Sequence, residues 1–160
     1  MHAERIVLSF LITAALLFVP CAAATGDAGY ADRIIVSPDD DRNDIAGLGN
    51  VIQSIGGRIY PGETDVINKN IPTGTKRINV NLDWSGHPHS STDSVSLTIY
   101  TPDGDQYGPH LDGVDGTINE KISLITSDSS SLPAGIWKFY IHGDSVPEGG
   151  DAYTLNVLYS

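Results

Sequence analysis

The feature that most constrains this chain is a strict alternation of apolar and polar residues. In the segment KRINVNLDW, single polar residues separate four apolar ones: Ile78, Val80, Leu82 and Trp84. Successive side chains of a β-strand point to opposite faces of a sheet, so this period of two predicts a strand with one buried and one solvated face. The same alternation recurs in three later segments, at residues 94–100, 135–143 and 151–159.

Turn-forming residues lie at the boundaries of the alternating segments. They include Pro-Thr-Gly-Thr, Pro-Asp-Gly-Asp, Leu-Pro-Ala-Gly and Pro-Glu-Gly-Gly, and Gly, Pro and Asp favour tight turns. After the first 24 residues no stretch shows sustained helical periodicity. These patterns predict an all-β fold: an antiparallel β-sandwich of jelly-roll or Greek-key type, with about seven or eight strands, in a domain spanning residues 51–160.

The alternation also predicts where particular side chains point. Lys69 lies on the same side of its predicted strand as Ile71, and an inward lysine is typical of an edge strand. Trp137 is expected to be buried between the sheets. Ile118 has the same parity as Ile122, so it is expected to face the core as well.

The first 24 residues are typical of a signal peptide. Arg5 precedes an apolar run of fourteen residues, Ile6–Val19, which is too short to span a bilayer comfortably. Small residues up to Ala24 offer a cleavage site, so we expect a secreted, extracellular protein. Cleavage before Cys21 and acylation there would give a lipid-anchored form, which the large residues just before the cysteine disfavour.

Residues 25–50 form an N-terminal extension to which the sequence assigns no structure. We expect this segment to be peripheral to the domain. Its short apolar run at 34–36 would suit a strand added to the edge of a neighbouring molecule, which leaves self-association open.

The charge balance and the missing motifs exclude several function classes. A net charge of −11 disfavours nucleic acid and anionic membrane surfaces as partners, because both require basic patches. No second long apolar run follows the signal segment, so no transmembrane segment is expected. The chain has no Gly-x-Ser-x-Gly elbow, no His-Glu-x-x-His and no phosphate-binding loop, so we predict that it is not an enzyme.

A group of four aspartates is the main candidate for a cation site: Asp103, Asp105, Asp112 and Asp115. Ca²⁺ binds six to eight oxygens, and the glycines between these residues allow the backbone to curl. Asp and Gly are equally favoured in solvated turns. No cofactor is required by the sequence, and Ca²⁺ is the ion that these aspartates suggest.

Two weaker metal patterns and one aromatic pair complete the candidates. Residues 39–43 match the first ligand positions of an EF-hand loop, but its glycine and its bidentate glutamate are missing. His87 and His89, with one residue between them, could bind a transition metal together, but no cysteine is present nearby as a further ligand. Tyr100 and Tyr140 are both predicted to point outward, where they either form a platform for a peptide or glycan or stabilise the sheet by cross-strand pairing.

The order of these segments resembles the pre-peptidase C-terminal domain family. The shared landmarks are Gly-Glu-Thr at 62–64, a strand ending near Trp84, the turn at 102–104, a Pro-x-Gly turn before an aromatic strand, and a final Tyr-Thr-Leu. The resemblance covers about residues 55–159 and implies a secreted, non-catalytic β-sandwich accessory module. The acidic pattern of the family is incomplete, because only Asp93 of its two acids is present.

Together these observations predict a secreted, non-catalytic binding module that acts at the cell surface on an extracellular protein or glycan. Two alternatives remain open. The chain could be a structural subunit of an extracellular assembly, or an accessory domain that acts in trans with a secreted protease.

Overall fold

The structure is a computed structural model that describes residues 34–38, 53–85 and 93–160. Those residues form nine β-strands and no helix: β1 (Ile35–Pro38), β2 (Gln53–Ile59), β3 (Thr64–Ile71), β4 (Arg77–Asp83), β5 (Ser94–Tyr100), β6 (Gln106–His110), β7 (Lys121–Ser127), β8 (Gly135–Ser145) and β9 (Asp151–Tyr159). The predicted all-β sandwich is confirmed. The predicted domain at 51–160 contributes eight of these strands, β2–β9, in agreement with the predicted seven or eight, and β1 comes from the predicted extension.

The nine strands form two antiparallel sheets. The five-stranded sheet has the order β1-β7-β4-β9-β2, and the four-stranded sheet has the order β3-β8-β5-β6. From β2 onward the strands pair as nested couples, β2 with β9, β3 with β8, β4 with β7 and β5 with β6. Successive couples alternate between the sheets, which is the winding of an eight-stranded jelly roll.

The inward residues of both sheets form one hydrophobic core. The largest fully buried side chains include Trp84, Trp137, Phe139, Leu82 and Ile99. Burial of Trp137 confirms the facing predicted for β8, and its indole N–H donates to the Pro133 carbonyl oxygen at 2.8 Å. This hydrogen bond satisfies the one polar group that the buried ring carries.

Lys69 lies where the sequence predicted an edge. Strand β3 pairs with β8 on one side and ends the four-stranded sheet on the other. The inward Lys69 is only 7% exposed, and burial lowers the pKa of its ammonium group. The edge prediction is therefore confirmed.

Tyr153 links the two sheets across the core. This residue of β9 is 5% exposed, and its hydroxyl donates to Asp65 Oδ2 of β3 at 2.8 Å. Burial raises the pKa of Tyr153, and the hydrogen bond to Asp65 and the negative charges of Asp65 and Glu63 raise it further. The ring lies directly over Gly57, where an added Cβ would be 2.5 Å from Tyr153 Cζ. Gly57 therefore provides the space that the tyrosine occupies.

Part of the predicted extension belongs to the sandwich. Residues 35–38 pair with residues 127–124 of β7 in the same chain, and Ile34 is only 6% exposed. The remainder of the 25–50 segment, the signal segment at 1–24 and Cys21 lie outside the described residues.

The inward facing predicted for Ile118 is wrong. Ile118 is 85% exposed, and β7 begins only at Lys121. Glu120 has a φ of 62°, a left-handed conformation that an extended strand does not contain. Ile118 therefore belongs to the loop before β7, and the alternation of β7 does not include it.

Candidate functional site

The outer side of the four-stranded sheet carries the two tyrosines singled out from the sequence. We call this surface the tyrosine face and define it by five outward residues of β3, β5 and β8: Val66, Thr98, Tyr100, Lys138 and Tyr140. Tyr140 pairs with Val66 on one side and with Thr98 on the other. Lys138 pairs with Tyr100 in the next row. The jelly-roll register therefore brings Tyr100 and Tyr140 onto adjacent strands, where they are diagonal neighbours.

The two tyrosines are in direct contact and partly exposed. Their ring centroids are 4.9 Å apart and the ring planes are inclined at 58°, within the range that aromatic pairs prefer. The Tyr100 hydroxyl donates to Gln106 Oε1 of β6 at 2.9 Å. Both rings are therefore held in place before any ligand arrives.

A polar row borders the tyrosine face. His142, two residues beyond Tyr140 on β8, contacts the Thr64 hydroxyl through Nδ1 at 2.8 Å. Its Nε2 is 3.8 Å from Asp144 Oδ1, which is too long for a hydrogen bond. This row supplies hydrogen-bonding groups beside the rings.

The four candidate aspartates divide into two pairs with different surroundings. Asp112 accepts hydrogen bonds from the backbone N–H groups of Asn119 and Glu120, at 3.1 and 2.8 Å. Asp115 accepts one from Thr117 N–H at 3.0 Å. Both carboxylates therefore organise the loop between β6 and β7, which is the turn-forming use of aspartate.

Asp103 and Asp105 lie in the turn that joins β5 to β6. Asp103 is exposed and Asp105 is partly exposed. Across the described ranges, no group of three or more His, Cys, Asp or Glu residues is arranged to hold a metal ion. Calcium binding by the four aspartates stays a prediction.

The weaker metal candidates are placed as follows. His87, His89 and residues 39–43 lie outside the described residues. His110 lies on β6 and is partly buried, and that burial lowers the pKa of its imidazole.

The sequence did not predict a depression on the outer side of the five-stranded sheet, which we call the β4–β9 depression. Its volume is about 370 Å³, and it is lined by Asp83, Ser85, Ala152, Tyr153, Thr154 and Asn156. Asp83 and Thr154 pair across β4 and β9. The signal that could have pointed to it is the cluster of outward amide and hydroxyl side chains on these two strands.

No helix of the described residues is long and apolar enough to cross a membrane.

Comparison with known proteins identifies the fold. No protein-family profile and no curated protein matches the chain. Among solved structures it is similar to the Clostridium perfringens CspB protease, with a TM-score of 0.50 and 13% identity over 66% of this chain and 25% of the protease. The chain thus spans about a quarter of that protease.

Two further solved structures are more distant. The Aeromonas hydrophila protein PliG, a periplasmic inhibitor of g-type lysozyme, has a TM-score of 0.43 and 13% identity over 78% of this chain and 95% of its own. CsCBM6-3 from Clostridium stercorarium, solved with cellobiose, has a TM-score of 0.32 and 15% identity over 67% of this chain and 72% of its own. At 13% identity, the similarity to the CspB protease shows a shared fold alone, and membership of the pre-peptidase C-terminal family stays a prediction.

Proposed function

We propose that this chain is an exported, non-catalytic module that binds an extracellular glycan on its tyrosine face. The observation that carries the proposal is the pair Tyr100–Tyr140, partly exposed, in contact at 4.9 Å between centroids and facing outward from the centre of a sheet. Aromatic rings offer a large contact area at a low cost in side-chain entropy.

The pair is preorganised, and this favours binding. Each ring restrains the other, and Gln106 fixes the Tyr100 hydroxyl. A ligand therefore needs to order few additional rotamers, each of which would cost about 0.5–1.5 kcal/mol.

The chemistry beside the rings fits a neutral polymer. Thr98 and Asn68 are outward on the strands next to β8, and Lys138 is the only charged member of the tyrosine face. In a chain with a net charge of −11, this surface is nearly neutral and rich in groups that hydrogen-bond to hydroxyls.

A polypeptide is the second candidate ligand, and one observation favours it. Val66 and Ile136 are 46% and 48% exposed on the same side of the sheet. Exposed aliphatic side chains beside tyrosine are common in protein interfaces. Roles as an assembly subunit or as a partner of a secreted protease would use this same surface.

The experiment is co-sedimentation of the wild type and two variants with insoluble cellulose, xylan, chitin and peptidoglycan. We expect Tyr140→Ala to weaken binding to at least one polymer by about tenfold, equivalent to 1.4 kcal/mol. The matched control is Tyr60→Ala, because Tyr60 is 46% exposed but lies outside the tyrosine face. Equal loss in both variants, or no sedimentation of the wild type, would overturn glycan binding.

The polypeptide candidate makes a different prediction. On a peptide array, Val66→Ser should reduce binding to hydrophobic peptides while sedimentation with polysaccharides stays unchanged. An array on which Val66→Ser and the wild type give the same signal would remove this candidate.

A further inference from the structure

We infer that the β4–β9 depression is a second binding site, which takes a single neutral sugar residue through its hydroxyl groups. It lies on the five-stranded sheet, on the opposite side of the sandwich from the tyrosine face. The inference therefore does not depend on the proposed function.

The depression exists because small residues lie beside large polar ones. On the outer side of the sheet, Thr154 pairs with Gly56 of β2, and Ala152 pairs with Arg58. Gly56 has no side chain and Ala152 has only a methyl group, so the surface is low next to Thr154. Asp83 and Asn156 also line it, and the space of about 370 Å³ lies at the small end of the range for small-molecule sites, about 300–1,000 Å³.

Two side chains in the depression have hydrogen-bonding capacity to spare. Neither the Thr154 hydroxyl nor the Asn156 amide hydrogen-bonds to another side chain in the described part of the chain. Asn81, which pairs with Asn156 across the strands, instead donates to Ser123 Oγ at 2.7 Å. A hydroxyl and an amide that face the same small space offer both donors and acceptors to a polyol.

Asp83 contributes a fixed acceptor. Its Oδ1 accepts from Ser85 N–H at 2.9 Å and from the Ser85 hydroxyl at 2.7 Å. Its Oδ2 is 3.1 Å from Lys121 Nζ. Burial raises the pKa of Asp83, but the hydrogen bonds from Ser85 and Lys121 outweigh burial, so the pKa is lowered overall. A carboxylate has about four lone-pair positions, which leaves room for one ligand hydroxyl.

The charge of the site selects the ligand class. The carboxylate of Asp83 and the ammonium of Lys121 neutralise each other at 3.1 Å. An anionic ligand would be repelled by the carboxylate of Asp83, and a cationic ligand would compete with Lys121 for that carboxylate. A neutral polyhydroxyl ligand meets neither obstacle, and its hydroxyls match the donors and acceptors of Asp83, Thr154 and Asn156.

The test is titration of ¹⁵N-labelled protein, followed by heteronuclear NMR. The probes are the methyl glycosides of glucose, xylose, galactose, mannose and N-acetylglucosamine, each taken to about 100 mM. For at least one probe we expect saturable shifts of the backbone amides of Ser85, Thr154 and Asn156. The Kd should lie in the millimolar range, and a Kd of about 1 mM corresponds to a binding free energy of about −4 kcal/mol. The amides of Tyr100 and Tyr140 report separately on the tyrosine face.

Two variants and a control separate this site from the other face. Thr154→Val removes the hydroxyl but keeps the shape, and should weaken binding by fivefold or more. Ala152→Leu should fill the depression, because Ala152 lines it and carries only a methyl group. Thr73→Val makes the same change in an exposed turn that belongs to neither surface and should leave the titration unchanged. Absence of saturable shifts for all five probes, or equal affinity of the wild type and both site variants, would overturn the inference.

Discussion

Gly57→Ala tests the packing between the two sheets at a single atom. The added Cβ would lie 2.5 Å from Cζ and Oη of Tyr153 and 2.7 Å from its Cε1. Carbon atoms in contact are normally about 3.5–4.0 Å apart, so the ring must move by roughly 1 Å. That movement would stretch the 2.8 Å hydrogen bond to Asp65 beyond the useful range.

The magnitude follows from these two losses. Overpacking of a core costs about 1–3 kcal/mol, and a hydrogen bond to a charged group contributes about 1.5–3 kcal/mol. Replacing glycine by alanine restores about 0.4–1 kcal/mol by restricting the unfolded chain. We therefore expect the free energy of unfolding to fall by roughly 2–5 kcal/mol.

The neighbouring glycine provides the control. Gly56→Ala places its Cβ 3.6 Å from the nearest atom, the Tyr153 carbonyl oxygen, and should be neutral or slightly stabilising. Both variants are compared by urea unfolding, monitored by the fluorescence of the buried Trp84 and Trp137. Adding Tyr153→Val should remove most of the cost of Gly57→Ala, because the ring that it meets is gone. Equal midpoints for the two alanine variants would refute the packing argument.

Three further predictions concern the core, the first strand and the acidic residues. Trp137→Ala should cost about 3–5 kcal/mol and Lys138→Ala little, as measured by thermal melting; equal losses would contradict the facing of β8. A chain that starts at residue 50 should melt lower than one that starts at residue 25, because it lacks Ile34 and the strand that covers β7, and identical melting temperatures would show that β1 is dispensable. Melts in millimolar Ca²⁺ and in EDTA should superimpose, whereas a rise of several degrees that Asp103→Asn with Asp105→Asn abolishes would establish a calcium site.

The facing of most strands could be predicted from the sequence. Alternation records which side of a strand is buried, so it predicted the burial of Trp137 and the outward direction of Tyr100 and Tyr140. The inward Lys69 marked the edge strand for the same reason. These are local properties of single strands.

Other elements depend on pairing with strands that the local sequence pattern does not specify. Strand β6 contains Gly108 and Pro109, which interrupt the alternation, and it is a strand because β5 offers an edge for pairing. Strand β1 has four residues and exists through its pairing with β7. The β4–β9 depression requires Asp83 and Thr154 to be adjacent across two strands that are distant in the sequence, and only the register between those strands brings them together.

The nested pairing of the jelly roll also sets an order in which the chain can fold. Strands β5 and β6 are joined by a short turn, so their pairing closes the smallest loop, while β2 and β9 stand at opposite ends of the domain sequence. Each inner pair that forms shortens the loop that the next outer pair must close, and this reduces its entropic cost. Strand β9 lies between β4 and β2, so the larger sheet stays divided until the last strand enters it. Long-range contacts of this kind slow folding, and the growing chain must stay soluble without the strand that joins β2 to β4 until synthesis reaches residue 159.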